Sequence, residues 1–186
     1  PAPAILDRTI YQINYEHNAS IGCYHSLNHG VTVRTTGYVS GVDSNGFYMQ
    51  QSPTSAPWQG IWVYTQSSPG RTVGDYVEVT SRVYEYYQLT ELDRPTSITL
   101  ISSGHTMVPL ATTTGAIGTS CSASGEAHEG LLVTVSNVQI TSEANNYGEI
   151  TINNGSGGPQ CKAGTEPTEA TATDDSGSSR QRTDDG

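Results

Sequence analysis

Three segments with alternating apolar and polar residues determine the predicted fold: VTVRTTGYVSGVDSNGFYMQQ (31–51), GIWVY (60–64) and GDYVEVTSRVYEYYQLTEL (74–92). An alternation with a period of two residues is typical of strands that bury one face. Asn45-Gly46 interrupts the first segment, and this dipeptide favours a two-residue hairpin turn. We therefore predict an all-β domain built from short strands that are joined by turns.

The alternation places apolar side chains on one face of the strands and aromatic side chains on the other. The predicted inner face carries Val31, Val33, Gly37 and Val39, followed by Val77, Val79 and Val83. The predicted outer face carries Tyr38, Tyr48, Trp62, Tyr64, Tyr76, Tyr84 and Tyr86. These rings are candidate binding residues, because exposed aromatic rings stack on nucleotide bases and sugars. A two-sided sheet also favours tyrosine on its outer face without any ligand, so both interpretations stay open.

The chain of 186 residues is long enough for one domain with a hydrophobic core and with extensions at its ends. We predict a leader at residues 1–29 that contains one strand, Thr9–Tyr15, and a β-domain at residues 30–164. Residues 165–186 are acidic and rich in Ser and Thr. Such a segment cannot bury enough apolar surface to fold by itself, so we expect a flexible tail or linker.

Two further features are predicted inside the β-domain. Residues 102–125 are rich in Thr, Ser and Gly and are expected to form a long loop, a kind of segment that is often functional. Residues 131–140 and 149–153 are expected to form an extra hairpin that turns at Asn145-Asn146 and completes the sheet, together with strands at 89–92 and 97–101. No segment shows a clear period of 3.6 residues, so helices should be short or absent.

The charge of the chain argues against several classes of partner. Eighteen Asp and Glu residues against eight Lys and Arg residues give a net charge of −10. A surface that follows a phosphate backbone is basic, so nucleic-acid binding by this domain alone is disfavoured. No apolar run reaches the roughly 20 residues of a membrane-spanning helix.

The N-terminal sequence PAPA has neither Met nor an apolar signal segment. A mature secreted chain whose signal peptide has been removed would begin in this way, and so would a chain that starts inside a longer protein. We expect an extracellular protein. The triplets that begin at Asn18 and Asn154 are then predicted glycosylation sites, if the source organism has the machinery.

Three cysteines, Cys23, Cys121 and Cys161, cannot all pair within one chain. Extending the predicted hairpin outward brings Cys161 near the loop that holds Cys121. We therefore predict a disulfide between Cys121 and Cys161. Cys23 is then expected to be buried or to be disulfide-linked to another molecule.

Candidate catalytic and metal-binding residues are few. Glu126-Ala127-His128-Glu129 is the tightest cluster of titratable groups, and it suits either an acid–base pair or a structural turn before a strand, of which we favour the turn. His25 and His29 lie near Cys23, but no further ligand pair that zinc requires is visible. No motif of a nucleophilic serine or a phosphate-binding loop occurs. We predict no catalytic residue, no metal and no cofactor.

Several landmarks along the chain resemble those of a known family. They are IYQI (10–13), CYHS (23–26), VTVRTTGYVSGV (31–42), GFYMQQ (46–51), WQGIWVY (58–64), VGDYVEVTSRVYEYYQLTEL (73–92), EAHEGLLVTVSNV (126–138) and NNGSG (153–157). With them, residues 10–161 resemble the β-barrel domain that precedes the catalytic domain in secreted bacterial nucleases of the endonuclease/exonuclease/phosphatase type. The resemblance implies a small OB-like β-barrel and a secreted origin. It carries over no nuclease activity, because the carboxylate and histidine motifs of the catalytic domain have no matching positions here.

The sequence thus favours a non-catalytic secreted module for interaction or assembly, such as a subunit of an extracellular polymer, fibril or surface structure. Its expected partners are further copies of the chain or another extracellular protein or glycan. The alternatives are a DNA-positioning accessory domain of a secreted nuclease, a sugar-binding module, and a hydrolase that uses Glu126 and Glu129.

Overall fold

The computed structural model describes residues 4–21, 23–117, 122–142, 150–156 and 161–163. Strands account for 49% of the structure and short helices for 11%, which confirms the all-β prediction. The strands are β1 Leu6–Asp7, β2 His17–Asn18, β3 His25–Ser26, β4 Thr32–Asp43, β5 Gly46–Gln50, β6 Gly60–Tyr64, β7 Tyr76–Tyr86, β8 Leu89–Ser102, β9 Leu110–Thr112, β10 Val133–Val135, β11 Gln139–Ser142, β12 Ile150–Asn153 and β13 Cys161–Ala163. The helices are α1 Ile10–Tyr15, α2 Thr114–Ile117 and α3 Ala123–His128. Among these described helices, none is long and apolar enough to cross a membrane.

The largest sheet has the strand order β1-β4-β5-β6-β8-β7, and β4 also pairs with β7. The pairings of β4, β5, β6, β8 and β7 therefore close into a cycle. β6 and β8 run parallel, whereas β4 is antiparallel to both β5 and β7. One face of this sheet encloses the main hydrophobic core.

The valines predicted for the inner face form the centre of that core. Val33, Val39, Val77, Val79 and Val83 are all fully buried, as the alternation predicts. Apolar residues of the neighbouring strands and of α1 complete the cluster, namely Phe47, Met49, Ile61, Val63, Leu92, Ile10 and Ile13. Burial of such side chains is the main stabilising contribution to a fold of this size.

The predicted strand Thr9–Tyr15 is wrong, because this segment forms helix α1. Thr9 caps the helix: its Oγ1 accepts from the Gln12 backbone N–H at 3.1 Å, and the Gln12 side chain accepts from the Thr9 N–H at 2.9 Å. This capping box is a strong signal for a helix start. Ile10 and Ile13, three residues apart, both reach the core from one side of the helix, which an extended strand could not achieve.

The predicted extra hairpin is only partly present. β11 and β12 pair antiparallel, with Gln139 opposite Asn153 and Ile140 opposite Ile152. The preceding strand β10 instead pairs in parallel with β9, so the hairpin does not complete the main sheet. The turn predicted at Asn145-Asn146 lies outside the described residues, as does the tail at 165–186.

The segment predicted as a long loop is more structured than expected. Residues 102–125 include β9, α2 and the start of α3. With β10 and β12 these elements bury a second, smaller core of Ile117, Leu131, Val133, Val135 and Ile152. The pairing between β9 and β10 joins residues that are far apart in sequence, and a local pattern gives no signal for it.

Strand β8 unites the two strands predicted at 89–92 and 97–101. It follows β7 through a tight turn at Tyr87 and Gln88, whose φ angles of 47° and 78° are both positive. Positive φ at both central residues suits the twist of a two-residue hairpin. The result is a long antiparallel pair that extends from Tyr76, opposite Ser102, to Tyr86, opposite Leu89.

Candidate interaction surface

The outer face of the main sheet carries the aromatic residues that the sequence proposed as binding residues. Tyr48 and Trp62 are only 5% and 7% exposed, and their ring centroids are 4.6 Å apart. They pack with Leu89, and Tyr64 lies half-buried against the same cluster. These two rings therefore contribute a packed layer on the outside of the sheet and offer little surface to a ligand.

A second aromatic group lies where β4 meets β7. Tyr38 and Tyr76 stack at 4.4 Å, and the His105 ring contacts Tyr38 edge-on at 4.9 Å. The Nε2 atom of His105 is 2.8 Å from the Oγ atom of Ser102. Cross-strand aromatic pairs of this kind stabilise a sheet, and these rings are half-buried rather than fully covered.

The remaining predicted rings lie on β7. The Arg82 guanidinium sits 5.2 Å from the centre of the Tyr84 ring, and the His29 ring lies 5.4 Å from it. Tyr86 is 44% exposed and contacts Tyr87 edge-on at 4.8 Å. Tyr86 is therefore the most accessible of the seven predicted aromatic residues.

Glu91 and Asp93 of β8 form a charged feature that the sequence reading missed. Asp93 is 7% exposed and accepts from Arg82 Nη2 at 3.1 Å and from Arg94 Nε at 2.8 Å. The hydrogen bond from Arg94 is the main cause that lowers the pKa of Asp93. Only the register of β8 with β6 and β7 shows that these acids are buried.

Glu91 has an unusual environment for a carboxylate. It is 4% exposed and lies between Trp62 of β6 and Tyr84 of β7. Burial raises the pKa of Glu91 to about 7, and the nearby charge of Asp93 adds to this effect. A carboxyl group with such a pKa changes its charge near neutral pH, a property that is common in functional sites and also occurs in structural ones.

One edge of β8 is open. β8 pairs with β6 only at Glu91–Asp93, whereas its pairing with β7 continues to Ser102. Among the described strands, none covers the other edge of residues 97–102. This segment, SITLIS, carries no charge, and its Leu100 and Ile101 are 46% and 51% exposed. An uncharged edge with exposed apolar side chains is a template for pairing with another strand.

The cluster at 126–129 takes part in structural contacts. Glu129 accepts from the Thr90 backbone N–H at 3.1 Å, and the two His128 ring nitrogens lie 2.7 Å from Ser124 O and 3.1 Å from Thr112 Oγ1. Helix α3 thereby connects the second core to the main sheet. The prediction of a turn at residues 126–129 is wrong, because residues 123–128 form a helix.

The histidines near the N-terminus lie close together. The ring centroids of His25 and His29 are 5.6 Å apart. Within the part of the chain that the structure describes, no group of three or more His, Cys, Asp or Glu side chains is arranged to hold a metal ion.

Cys23 is 2% exposed, and its Sγ atom lies 2.9 Å from Oε1 of Glu126. Cys121 lies outside the described residues, and so does the side chain of Cys161. Because three cysteines form at most one pair within a chain, a bond from Cys23 to either of them would exclude the predicted pair of Cys121 and Cys161. That predicted pair itself is not tested by the described residues.

The two predicted glycosylation sites differ in their surroundings. Asn18 lies in β2, and its Oδ1 accepts from the Ser20 N–H at 3.0 Å. Asn154 follows β12, and its Oδ1 accepts from Thr114 Oγ1 at 2.8 Å. The hydrogen bond of Asn18 is local, whereas that of Asn154 joins it to α2.

No protein-family model matches this chain, and no curated protein matches it significantly. The resemblance to the β-barrel domains of secreted nucleases therefore stays a prediction. The all-β fold and its surface define the class of protein: a β-rich domain in which the described part of β8 has an open, uncharged edge.

Proposed function

We propose that the protein is a non-catalytic interaction module that associates with further copies of itself through the open edge of β8. The observation that carries this proposal is the uncharged segment Ser97–Ser102, which pairs on one side only among the described strands. We also propose that the cycle of strand pairings is a small OB-like barrel, and that the protein acts outside the cell, for example in a polymer or surface structure.

The charge of the chain supports an interface at this place. With a net charge of −10, two copies repel each other over most of their surface. Residues 95–102, PTSITLIS, contain no acid and no base, so two such edges approach without like-charge contacts. Many proteins protect an exposed edge with charged residues, and this edge lacks that protection.

Exposed side chains supply the apolar part of the interface. Opposite residues in an antiparallel pair share a face, so Leu100 lies on the same face as its partner Val77. Ile101 lies in a β-bulge, between Leu100, which pairs with Val77, and Ser102, which pairs with Tyr76. An incoming strand would therefore find two exposed large apolar side chains at this edge, together with a row of backbone hydrogen-bonding groups.

The arrangement of edges sets the symmetry. Two copies that pair β8 with β8 form a closed dimer with a two-fold axis, whereas pairing β8 with a different edge produces an open polymer. Among the described strands, β1 provides another edge of the main sheet, and Ile5 and Leu6 at its start are 47% and 38% exposed. In such a polymer, β8 of one copy would pair with the N-terminal edge of the next copy. Because helix α1 begins at Ile10, only the residues before Ile10 could form that edge.

Hydrogen–deuterium exchange at two protein concentrations tests the proposal. The amides of Ser97–Ser102 that face away from β7 should exchange quickly in dilute protein and become protected when the protein is concentrated. Amides of the covered strand β5 serve as an internal control, since their exchange should not depend on concentration. Fast exchange at the β8 edge at every concentration would contradict the proposal.

A further inference from the structure

Aromatic rings from three parts of the chain meet at the surface beside helix α1. They come from α1 itself, from β2 with the loop that follows it, and from the loop between β5 and β6. We call this group the aromatic patch, and its members are Tyr11, Tyr15, His17, Tyr24 and Trp58. Tyr15 is 51% exposed and the other four rings are half-buried, so the patch borders the solvent.

The rings form two stacks that meet nearly at right angles. Tyr11 and Tyr15 stack with their centroids 4.8 Å apart, and His17 stacks on Trp58 at 5.0 Å. Tyr15 contacts Trp58 edge-on at 5.7 Å, which joins the two stacks. Tyr24 contacts His17 edge-on at 5.0 Å. Each ring is thus held by its neighbours in a preferred aromatic geometry, and together they form a rigid platform at the surface.

The backbone at Trp58 gives independent support for a function of this ring. Its φ angle of 66° lies in the left-handed region, which a bulky residue rarely adopts. Two distant hydrogen bonds hold it there: the Trp58 N–H donates to the Ala127 carbonyl at 2.8 Å, and its carbonyl accepts from Asn14 Nδ2 at 3.4 Å. Tyr24 also has a positive φ, of 49°. Backbone strain that the surrounding structure enforces is concentrated at functional sites, so the patch is a candidate for binding.

The charge around the patch indicates which partner fits. The segments that build it contain three glutamates and neither Lys nor Arg: residues 9–30, 51–60 and 122–130. The base that precedes them in the sequence, Arg8, is engaged with Asn28, whose Oδ1 accepts from Arg8 Nε at 3.4 Å. The whole chain carries a net charge of −10. Such a surface attracts a cationic partner and repels an anionic one, including a phosphate.

Among cations, a guanidinium group suits a platform of rings best. It is planar, it stacks on aromatic faces, and it is more weakly hydrated than an ammonium group. The negative face of an aromatic ring attracts it, most strongly when the ring is that of tryptophan. The chain contains one example, the Arg82 guanidinium 5.2 Å from the centre of the Tyr84 ring. Among the described residues, no cation lies over a ring of the aromatic patch in this way.

We propose that the aromatic patch binds an arginine side chain in a basic segment of a partner protein. Trp58 and Tyr15 supply ring surface for the guanidinium, and the glutamates of the surrounding segments attract its charge. The proposal goes beyond self-association and does not depend on it, because the patch and the open edge of β8 share no residue. It gives the module a second surface, with a basic protein as the partner.

Nuclear magnetic resonance titration with two peptides of the same shape tests this site. The probe is an acetylated and amidated pentapeptide that contains two arginines among glycines, and its control contains uncharged citrulline in place of arginine. The chain has two tryptophans, so ¹⁵N-labelled protein gives one indole N–H signal for Trp58 and one for Trp62. The arginine peptide should shift the Trp58 signal and bind about threefold or more tightly than the citrulline peptide, as a cation–π contact requires.

Other occupants of the patch would give different results. Equal binding of the two peptides, or shifts confined to other parts of the protein, would overturn the proposal. A Trp58 signal that responds only to methyl glucoside would indicate a neutral sugar instead. A signal that responds only to the concentration of the protein itself would indicate a second copy of the chain, and either result would also overturn the proposal.

Two variants locate the rings that bind. Trp58→Leu and Tyr15→Leu each remove a ring without changing the charge, and each should weaken binding of the arginine peptide about threefold or more. The amide signal of His17 follows the titration in both variants. Tyr87→Leu removes a ring that is 80% exposed and lies outside the patch, so this matched control should bind like the wild type.

Thermal unfolding shows whether each variant is folded. If Trp58→Leu does not fold, Tyr15→Leu decides, because its ring is exposed on α1 and is not needed for the main core. Affinity equal to that of the wild type in the folded variants would refute the assignment.

Discussion

At the scale of single residues, the pKa of Glu91 has a measurable consequence for stability. The group has an ordinary pKa of 4.5 and a pKa of about 7 in the folded protein, chiefly because it is buried. Between these two values the folded protein binds more protons than the unfolded chain, so the free energy of unfolding decreases as the pH rises. The stabilisation is complete below pH 4.5 and is lost as the pH passes through about 7.

Glu91→Gln should remove this pH dependence, because glutamine stays neutral. Relative to the wild type, the variant should gain roughly 1–3 kcal/mol in unfolding free energy between acidic and neutral pH. Urea unfolding at several pH values measures the difference. Glu16→Gln, at an exposed position, should keep the wild-type profile, and a Glu91→Gln variant with that same profile would show that Glu91 is not responsible.

The close packing around Gly46 leads to a second prediction at the residue scale. A Cβ atom at this position would collide with the Trp62 ring and with the Val63 carbonyl oxygen. Gly46→Ala should therefore destabilise the protein by about 1–3 kcal/mol, as overpacking of a rigid site does. Gly70→Ala is a useful comparison, because a Cβ there meets no atom within 4 Å and only its positive φ of 59° opposes the change. Equal losses in chemical denaturation would argue against close packing at Gly46.

At the scale of elements, helix α1 connects local capping to the main core. Thr9→Ala removes the side-chain acceptor of the capping box, which should cost about 0.5–2 kcal/mol of stability. This loss of stability should lower the denaturant concentration at the midpoint of global unfolding, because Ile10 and Ile13 belong to the main hydrophobic core. Ser68→Ala, which removes an exposed hydroxyl outside the helix and the β8 edge, is the control. No difference between the two variants would mean that the cap does not stabilise the fold.

A comparison of the predicted and observed elements shows which features a local sequence pattern can predict. Alternation along 31–92 predicted which valines of β4 and β7 are buried, because each strand has one face on the core. The same reasoning failed for α1, whose six residues are too few to show a helical period, although Thr9 and Gln12 formed a recognisable capping box.

Long-range contacts account for the remaining differences. The parallel pairing of β9 with β10 and the burial of Glu91 both depend on strands that are distant in sequence. For the same reason, the aromatic residues at 48 and 62 looked available in the sequence and turned out to be packed together.

At the scale of the whole molecule, we expect the buried Cys23 to form a disulfide that connects distant parts of the chain. Cys23 is buried beside Glu126, more than one hundred residues later in the sequence. We expect peptide mapping without reduction to recover the Cys23 peptide linked to a second cysteine peptide of the same chain. A Cys23 peptide that is alkylated without prior reduction would contradict this expectation, and the mass of the linked peptide identifies the partner.

Self-association is the central claim for the whole molecule, and sedimentation velocity tests it most directly. The wild-type protein should form dimers or larger species as its concentration increases, because the uncharged edge at 97–102 is open in the monomer. Leu100→Lys places a charge on that edge and should keep the protein monomeric. Leu27→Lys is the matched control, since Leu27 is 65% exposed and lies outside the edge, and this variant should associate like the wild type. A wild-type protein that sediments as a monomer at every concentration, or a Leu100→Lys variant that associates equally well, would contradict the account.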